Sequence, residues 1–574
     1  MSEESGAPSR PVGPGRGARR RGALLAGTLA FGLLAAACSS TSSSAGSTST
    51  TAKGGGGGGG AAAASARTSG PADGTDPTSG GRLVMGVEAE TEAMDPARVP
   101  LAASGYFLAS SVFDSLATLD ADGKAKPFLA TAIEPSDGAK TWTITLPTGV
   151  KFHNGDALDA KAVKADLDFF RQSAITSGML RTVTSVEAPD PTHVVVKLSD
   201  PWTAFPNVLT TQVGYVMHPS MIDDPQKAYA PIGTGPFVYD SHTMNETWVL
   251  KRNPSYWRKD AAGRQLPYLD QIQFKVMVDE TTRLQALRDG DIDMMHTVKP
   301  DQVVSLRGLP EYKRVEYADG EKDFLTLNTE DPPFNDPVAR QAVARSIDPE
   351  RWRQEITKGV KQPANSPFGP TQPGYTENSG YPTYDLAEAK KLVKQYESTH
   401  GGQPLEFTYT AGDDPSDRAE AQLLSSMMNE AGMKVSITSL PQAQLIAHVV
   451  TGDYQVSIWR NFGMPDPDAD TVWWRSESIL PKGGVSLNTA RYKDPQIDQA
   501  IDDALAATTP DQRQKAYEQV AQRINQAVPY IWLGRVVWNL AANERVNGIY
   551  PAANGSIQTL GEKSWMGDLW IKQK

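Results

Sequence analysis

The sequence predicts a mixed α/β protein with more than one core. Its 574 residues exceed the usual domain size several times over. Short alternating strands and amphipathic helices follow one another through both halves, without a repeat of fixed period. Near the middle, residues 324–347 (FLTLNTEDPPFNDPVARQAVARSI) pass from a strand straight into a helical pair. Such a stretch suits a crossing between two lobes, and equally an ordinary strand–helix unit inside one domain.

Leu325 and Leu327 alternate with Thr326 and Asn328, which is the period of a strand. Asp331-Pro332-Pro333 ends it, because a proline has no N–H for a sheet ladder. Asn335 or Asp336 then caps a helix with Pro337 in its first turn and Val338, Ala342 and Val343 as its buried stripe. Asp348-Pro349 repeats the signal for a helix carrying Trp352 and Ile356. Ahead of this unit, strands are expected at 82–87, 141–146, 194–198 and 272–278, and helices at 106–119, 160–170 and 280–287. Beyond it, helices are expected at 384–395, 418–430, 495–506 and 510–525, with strands at 405–409, 435–437, 454–459 and 530–533. These build a second mixed lobe, and the tail after 530 is placed to return to the first.

Residues 1–37 read as an export signal. Arg16, Arg19, Arg20 and Arg21 precede an apolar run at 23–37 that is short for a membrane span. The arginines leave both the general secretory and the twin-arginine routes open. Cys38 is the chain's single cysteine and follows Leu34-Ala35-Ala36-Ala37. A thiol there can carry two acyl chains, enough for stable anchoring. The site resembles the lipobox of bacterial lipoproteins, with Ala35 where that pattern usually has leucine. Residues 38–80, rich in Ser, Thr and Gly, form a flexible tether. Without the first 37 residues, 51 basic and 65 acidic side chains remain, a net charge near −14. That balance excludes a nucleic-acid partner. A lipid foot, a tether and a large acidic body describe a protein held at the extracytoplasmic face of a cell membrane.

No catalytic chemistry stands out. The seven histidines are isolated, and no His-Glu-x-x-His, Gly-x-Ser-x-Gly or phosphate-loop pattern occurs. Neither a metal nor a cofactor is expected, and the chain is read as a non-enzyme. The aromatic residues say more. Trp459-Arg460-Asn461-Phe462-Gly463-Met464-Pro465-Asp466-Pro467 follows a strand directly, combining aromatic faces with a few polar groups, as an organic ligand site requires. Trp473 and Trp474 suit either the same wall or a plug of the core.

Seven ordered motifs then carry a resemblance. They are 142–163 (WTITLPTGVKFHNGDALDAKAV), Gly-Thr-Gly-Pro-Phe at 233–237, Asn-Pro-Ser-Tyr-Trp at 253–257 and Gly-Asp-Ile-Asp at 290–293. Residues 328–348, 384–392 and 488–530 complete the set. The chain resembles the solute-binding proteins of ABC importers, in the family of the oligopeptide-, dipeptide- and nickel-binding proteins, over about 82–574. The resemblance implies a two-lobed periplasmic-binding-protein-like fold with an extra domain inserted in the first lobe and a cleft between lobes. The implied division is lobe I at 81–115, 223–323 and 536–574, the inserted subdomain at 116–222, and lobe II at 324–535. It further implies a monomer that closes on a peptide or similar small organic solute and docks on a permease with ATPase subunits. A lipid-anchored hydrolase, a non-transport ligand sensor and a structural lipoprotein are the alternatives.

By the same resemblance, Trp459, Arg460, Asn461, Phe462 and Asp466 line the cleft from the second lobe, with Ser104 and Tyr106 facing them. Peptide-binding members hold the peptide's amino group with a carboxylate a few residues after the tryptophan. Here Arg460, Asn461 and Phe462 occupy those positions, and the first acid is Asp466. The solute is therefore expected to be held without an acid on a free N-terminus.

Overall fold

The computed structural model describes residues 67–550 and 565–572, apart from 92, 100, 121–123, 174, 462, 464 and 465. The expected export signal, Cys38 and residues 38–66 of the expected tether lie outside the described residues, while Arg67–Ser69, expected as flexible tether, pair as a strand with Arg314–Glu316.

One twelve-stranded sheet organises the described residues. Its main path runs Lys434–Leu440, Glu406–Gly412, Val456–Asn461, Lys313–Leu327, Tyr530–Ala542, Met294–Thr297, Arg82–Val87, Gln271–Val276, Thr247–Arg252 and Phe237–Thr243. The first three strands pair in parallel, as do Met294–Thr297, Arg82–Val87 and Gln271–Val276. Between these groups lie the two long strands, antiparallel to each other and to both neighbours.

Lys313–Leu327 and Tyr530–Ala542 serve both halves of the sheet. Toward one end, Asn539–Ala542 pair with Met294–Thr297 on one side and with Lys313–Glu316 on the other. Toward the other end, Lys322–Leu327 pair with Val456–Asn461. Between them the register slips at 318–322 and again at 323–324. Extra residues of this kind bend a strand and raise its twist. Residues 319–321 thus form a bulge at the handover.

The strand at 324–327 therefore belongs to a longer element that begins at Lys313, and 530–533 continues to Ala542. All thirteen residues of the latter are buried, so no alternation marks its length. After the strand ends at Leu327, Asp336 caps Pro337–Ser346, accepting from the Val338 N–H at 2.7 Å. Asp348 caps Pro349–Glu355, whose Trp352 is fully buried.

A second, four-stranded antiparallel sheet runs Ala132–Ser136, Thr141–Thr145, His193–Leu198, Val183–Asp190. Helix Ala160–Gln172 covers it with Val163, Leu167 and Phe170. The helix expected over 106–119 is instead Ala103–Val112, followed by a strand at Ala117–Leu119. The Gly235 N–H takes the Val112 carbonyl at 2.9 Å. A Cβ on Gly233 or Gly235 would collide with Val112, so glycine alone permits that approach. Asp114 is then drawn inward, accepting from Thr234 (3.0 Å), Tyr256 (2.7 Å) and Trp257 (2.8 Å).

Candidate functional site: the wall beside the crossing strands

Trp459, Arg460 and Asn461 end the strand Val456–Asn461 and lie directly opposite Phe324, Asp323 and Lys322. Successive side chains of a strand point to opposite faces. Trp459 and Asn461 consequently share a face with Phe324 and Lys322, while Arg460 and Asp323 share the other. Trp459 is half-buried and its indole N–H has no acceptor among the described residues. It packs against the core that holds Phe324, Trp532, Trp473 and Trp474. Within that core the Trp474 ring meets Tyr530 at 5.3 Å and Trp532 at 6.1 Å, both edge-on. Trp474 is 3% exposed, so it forms the backing of the wall.

Arg460 keeps 37% of its side-chain surface and lies 3.0 Å from a carboxylate oxygen of Glu321 in the bulge. The other Glu321 oxygen accepts the Trp538 indole N–H at 2.7 Å. Burial raises the Glu321 carboxyl above its ordinary range, and Arg460 and Trp538 oppose that shift. Trp538 stacks on His296 (5.5 Å, 13°), and His296 meets the Phe107 ring edge-on at 5.1 Å. Burial brings His296 down to about 4, so it is a neutral ring at physiological pH. This chain of contacts joins Arg460 to helix Ala103–Val112.

That helix carries Ser104 and Tyr106, both buried. The Ser104 hydroxyl accepts the Ala89 N–H at 3.3 Å, and the Tyr106 hydroxyl meets Gln212 at 3.4 Å. Phe462 lies outside the described residues. Asn461 is fully buried; its side-chain oxygen accepts the Lys322 backbone N–H at 3.3 Å. Gly463 lies so close to the backbone of Gly320 and Glu321 that a Cβ there would overlap it. The loop after Trp459 is thereby pinned to the bulge.

Asp466 is 8% exposed and heavily committed. Its carboxylate caps the 3-10 helix Pro467–Trp473 through the Asp468 N–H (3.0 Å), pairs with Arg513 and accepts the Asn207 side-chain amide. Asp468 completes the cluster, accepting the Trp202 indole N–H at 2.6 Å and lying 2.8 Å from Arg513. Burial raises the Asp466 carboxyl, and Arg513 pulls against that rise.

Sequence reasoning missed Glu321, Lys322 and Arg535. Lys322 stands opposite Asn461 on one side and Arg535 on the other. One signal was available: Arg535 is the lone charge in the otherwise uncharged run 530–542. No group of three or more His, Cys, Asp or Glu side chains among the described residues is placed to hold a metal.

Comparison with known proteins identifies the family. The family described as bacterial extracellular solute-binding proteins, family 5 (middle), matches residues 124–480. The glutathione-binding protein GsiB of Pectobacterium atrosepticum is 26% identical over 457 residues, covering 77% of this chain and 86% of that protein. The probable D,D-dipeptide-binding periplasmic protein DdpA of Escherichia coli is 27% identical over 488 residues, covering 81% and 90%. Among solved structures, the binding protein AgaA from A. tumefaciens R10, in complex with agropinic acid, superposes with a TM-score of 0.75 at 23% identity, covering 86% of this chain and 99% of that one. The Bacillus subtilis oligopeptide-binding protein AppA, in complex with a nonapeptide, gives 0.73 at 21% identity, covering 87% and 100%. The fold is thus the two-lobed one of periplasmic binding proteins, and the chain belongs to the bacterial extracellular solute-binding proteins of family 5.

Proposed function

We propose that this protein captures a peptide or similar small organic solute between its two lobes and delivers it to an ABC permease with ATPase subunits. The observation that carries this reading is the wall beside the crossing strands. A half-buried tryptophan, an arginine and an amide stand on a strand that is bonded to the bulge where the two halves of the sheet meet. A ligand touching that wall would feel, and bias, the angle between the halves. The named ligands of similar proteins, a glutathione and a nonapeptide among them, agree with an organic solute of peptide character.

The lobe limits given above, with 324–535 as lobe II and 116–222 as the insertion, belong to this proposal. So do Trp459, Arg460, Asn461 and Phe462 as ligand contacts from the second lobe, with Ser104 and Tyr106 as contacts facing them. Asp466 would reach a solute only by releasing Arg513. The reading therefore includes a solute whose free amino group, if it has one, is not gripped by Asp466. The same proposal places the protein outside the membrane, monomeric, anchored through lipid on Cys38, and free of catalysis, cofactor or metal.

Native mass spectrometry of gently purified protein tests this directly. A bound solute of a few hundred daltons, lost on denaturation and accompanied by a more compact scattering profile, is the expected result. Protein that never carries or takes up an organic solute, and whose dimensions do not respond to peptides, would overturn it.

A further inference from the structure

We propose that Lys322, Asn461 and Arg535 form an anion anchor at the strand crossing that takes the carboxylate of the captured solute. The proposal rests on the solute-binding reading above. Three neighbouring strands place these residues in one row, Asn461 opposite Lys322 and Lys322 opposite Arg535. Directly opposed residues share a face, with Cβ atoms about 5 Å apart. The row therefore spans about 10 Å, within the reach of two or three donors onto one carboxylate. It continues the face that carries Trp459, Phe324 and Trp532.

The row is buried, with Lys322 and Asn461 at 0% and Arg535 at 8% exposure. The Lys322 ammonium, the Asn461 side-chain N–H2 and the Arg535 Nε–H have no acceptor among the described residues. Buried donors without acceptors are unfavourable, and like charges directly opposed in a strand pair repel. An arriving carboxylate, with about four lone-pair sites, would satisfy both deficits at once.

The surrounding charges set the sign and size of the demand. Asp470 favours the charged form of Lys322, Arg535 opposes it, and Glu321 adds a weaker favourable field. Burial dominates and brings the ammonium down to about 8, which leaves it protonated at neutral pH. Glu321 is matched by Arg460. Asp470 offsets Lys322, and the Arg535 guanidinium, 5.7 Å from the centre of the Tyr375 ring, adds one further positive charge, which fits a monoanion. The consequence for selectivity is that a solute's ammonium is repelled from this row.

The test uses a random tripeptide library with free C-termini and the same library amidated, read by melting temperature and calorimetry. The parent protein should prefer the acid library at least tenfold. Lys322→Arg should keep that preference, and Lys322→Met should reduce it to less than twofold. Unliganded Lys322→Met should melt no lower than the parent, since burial opposes the lysine's charge more strongly than Asp470 favours it. A methionine variant melting well below the parent would assign Lys322 a structural partner and overturn the anchor. Equal response to both libraries would overturn the anchor and leave the importer reading intact. No response to either library, with nothing co-purifying, would overturn both.

Discussion

Asp466→Ala separates the two roles open to the first acid after Trp459. In the structure that carboxylate holds a helix cap, an ion pair with Arg513 and the Asn207 amide. Losing a cap costs about 1 kcal/mol. Losing a charged hydrogen bond costs about 1.5–3 kcal/mol. Arg513 keeps Asp468 at 2.8 Å, so the full cost of an orphaned buried cation does not apply. The sum is about 4 kcal/mol. At about 2.1 cal/mol/K per residue, over roughly 480 described residues, the entropy of unfolding is about 1 kcal/mol/K. A fall in melting temperature of about 4 °C follows, measurable by differential scanning fluorimetry on unliganded protein. Calorimetry on a binding peptide and its N-acetylated form should give an affinity ratio that the substitution leaves within about twofold. If Asp466→Ala instead lost a hundredfold of affinity for the free amine, with its melting temperature within 1 °C of the parent, the carboxylate would be holding the solute and the argument from Arg513 would fail.

Three further expectations follow from other parts of the molecule. Trp459→Ala should fold normally yet lose the stabilisation a ligand confers, about 2.7 kcal/mol at a hundredfold excess over Kd; an unchanged ligand shift would place the site elsewhere. Cys38→Ser should move the protein from the membrane fraction to the soluble one, and continued full membrane association would exclude the lipid anchor. Burial raises Asp114 from 3.8 to about 6. The folded state thus favours its protonated form, and this contribution is present below pH 3.8 and lost as pH rises through 6. It amounts to about 3 kcal/mol in full and to about 2 kcal/mol between pH 7 and pH 4, so the melting-temperature gap between parent and Asp114→Asn should shift by about 2 °C in the parent's favour over that range, and a gap constant with pH would refute it.

The family and its two-lobed fold were legible because motifs such as 142–163 and 328–348 are contiguous. The extent of the strand Lys313–Leu327 was legible in part. Strand alternation at Leu325 and Leu327 is local, but residues 319–321 bulge out of the ladder and interrupt the alternation that would have carried the strand back to Lys313. The return strand hid its length differently, by being buried on both faces. The helix expected to 119 stops at Val112 because Gly235, distant in sequence, takes the Val112 carbonyl, a contact that helix propensity does not encode. At the site, Trp459, Arg460 and Asn461 were named from the loop they begin. Lys322 and Arg535 gain their meaning only from the register that sets them opposite one another, and Asp466 from Arg513, a partner on a helix formed later in the chain.

The place of Tyr530–Ala542 in the sheet has a consequence for how the molecule comes into being. This strand follows every other strand of its sheet in chain order, yet it lies between Lys313–Leu327 and Met294–Thr297. Until it arrives, both neighbours present bare edges, which invite mispairing. A chain ending at residue 529 would hold two unjoined sheet fragments, so shortening from the C-terminus should abolish folding outright instead of trimming a tail. Contacts so distant in sequence also form slowly. The finished protein therefore depends on staying unaggregated until this strand is available, whatever the order in which its helices form.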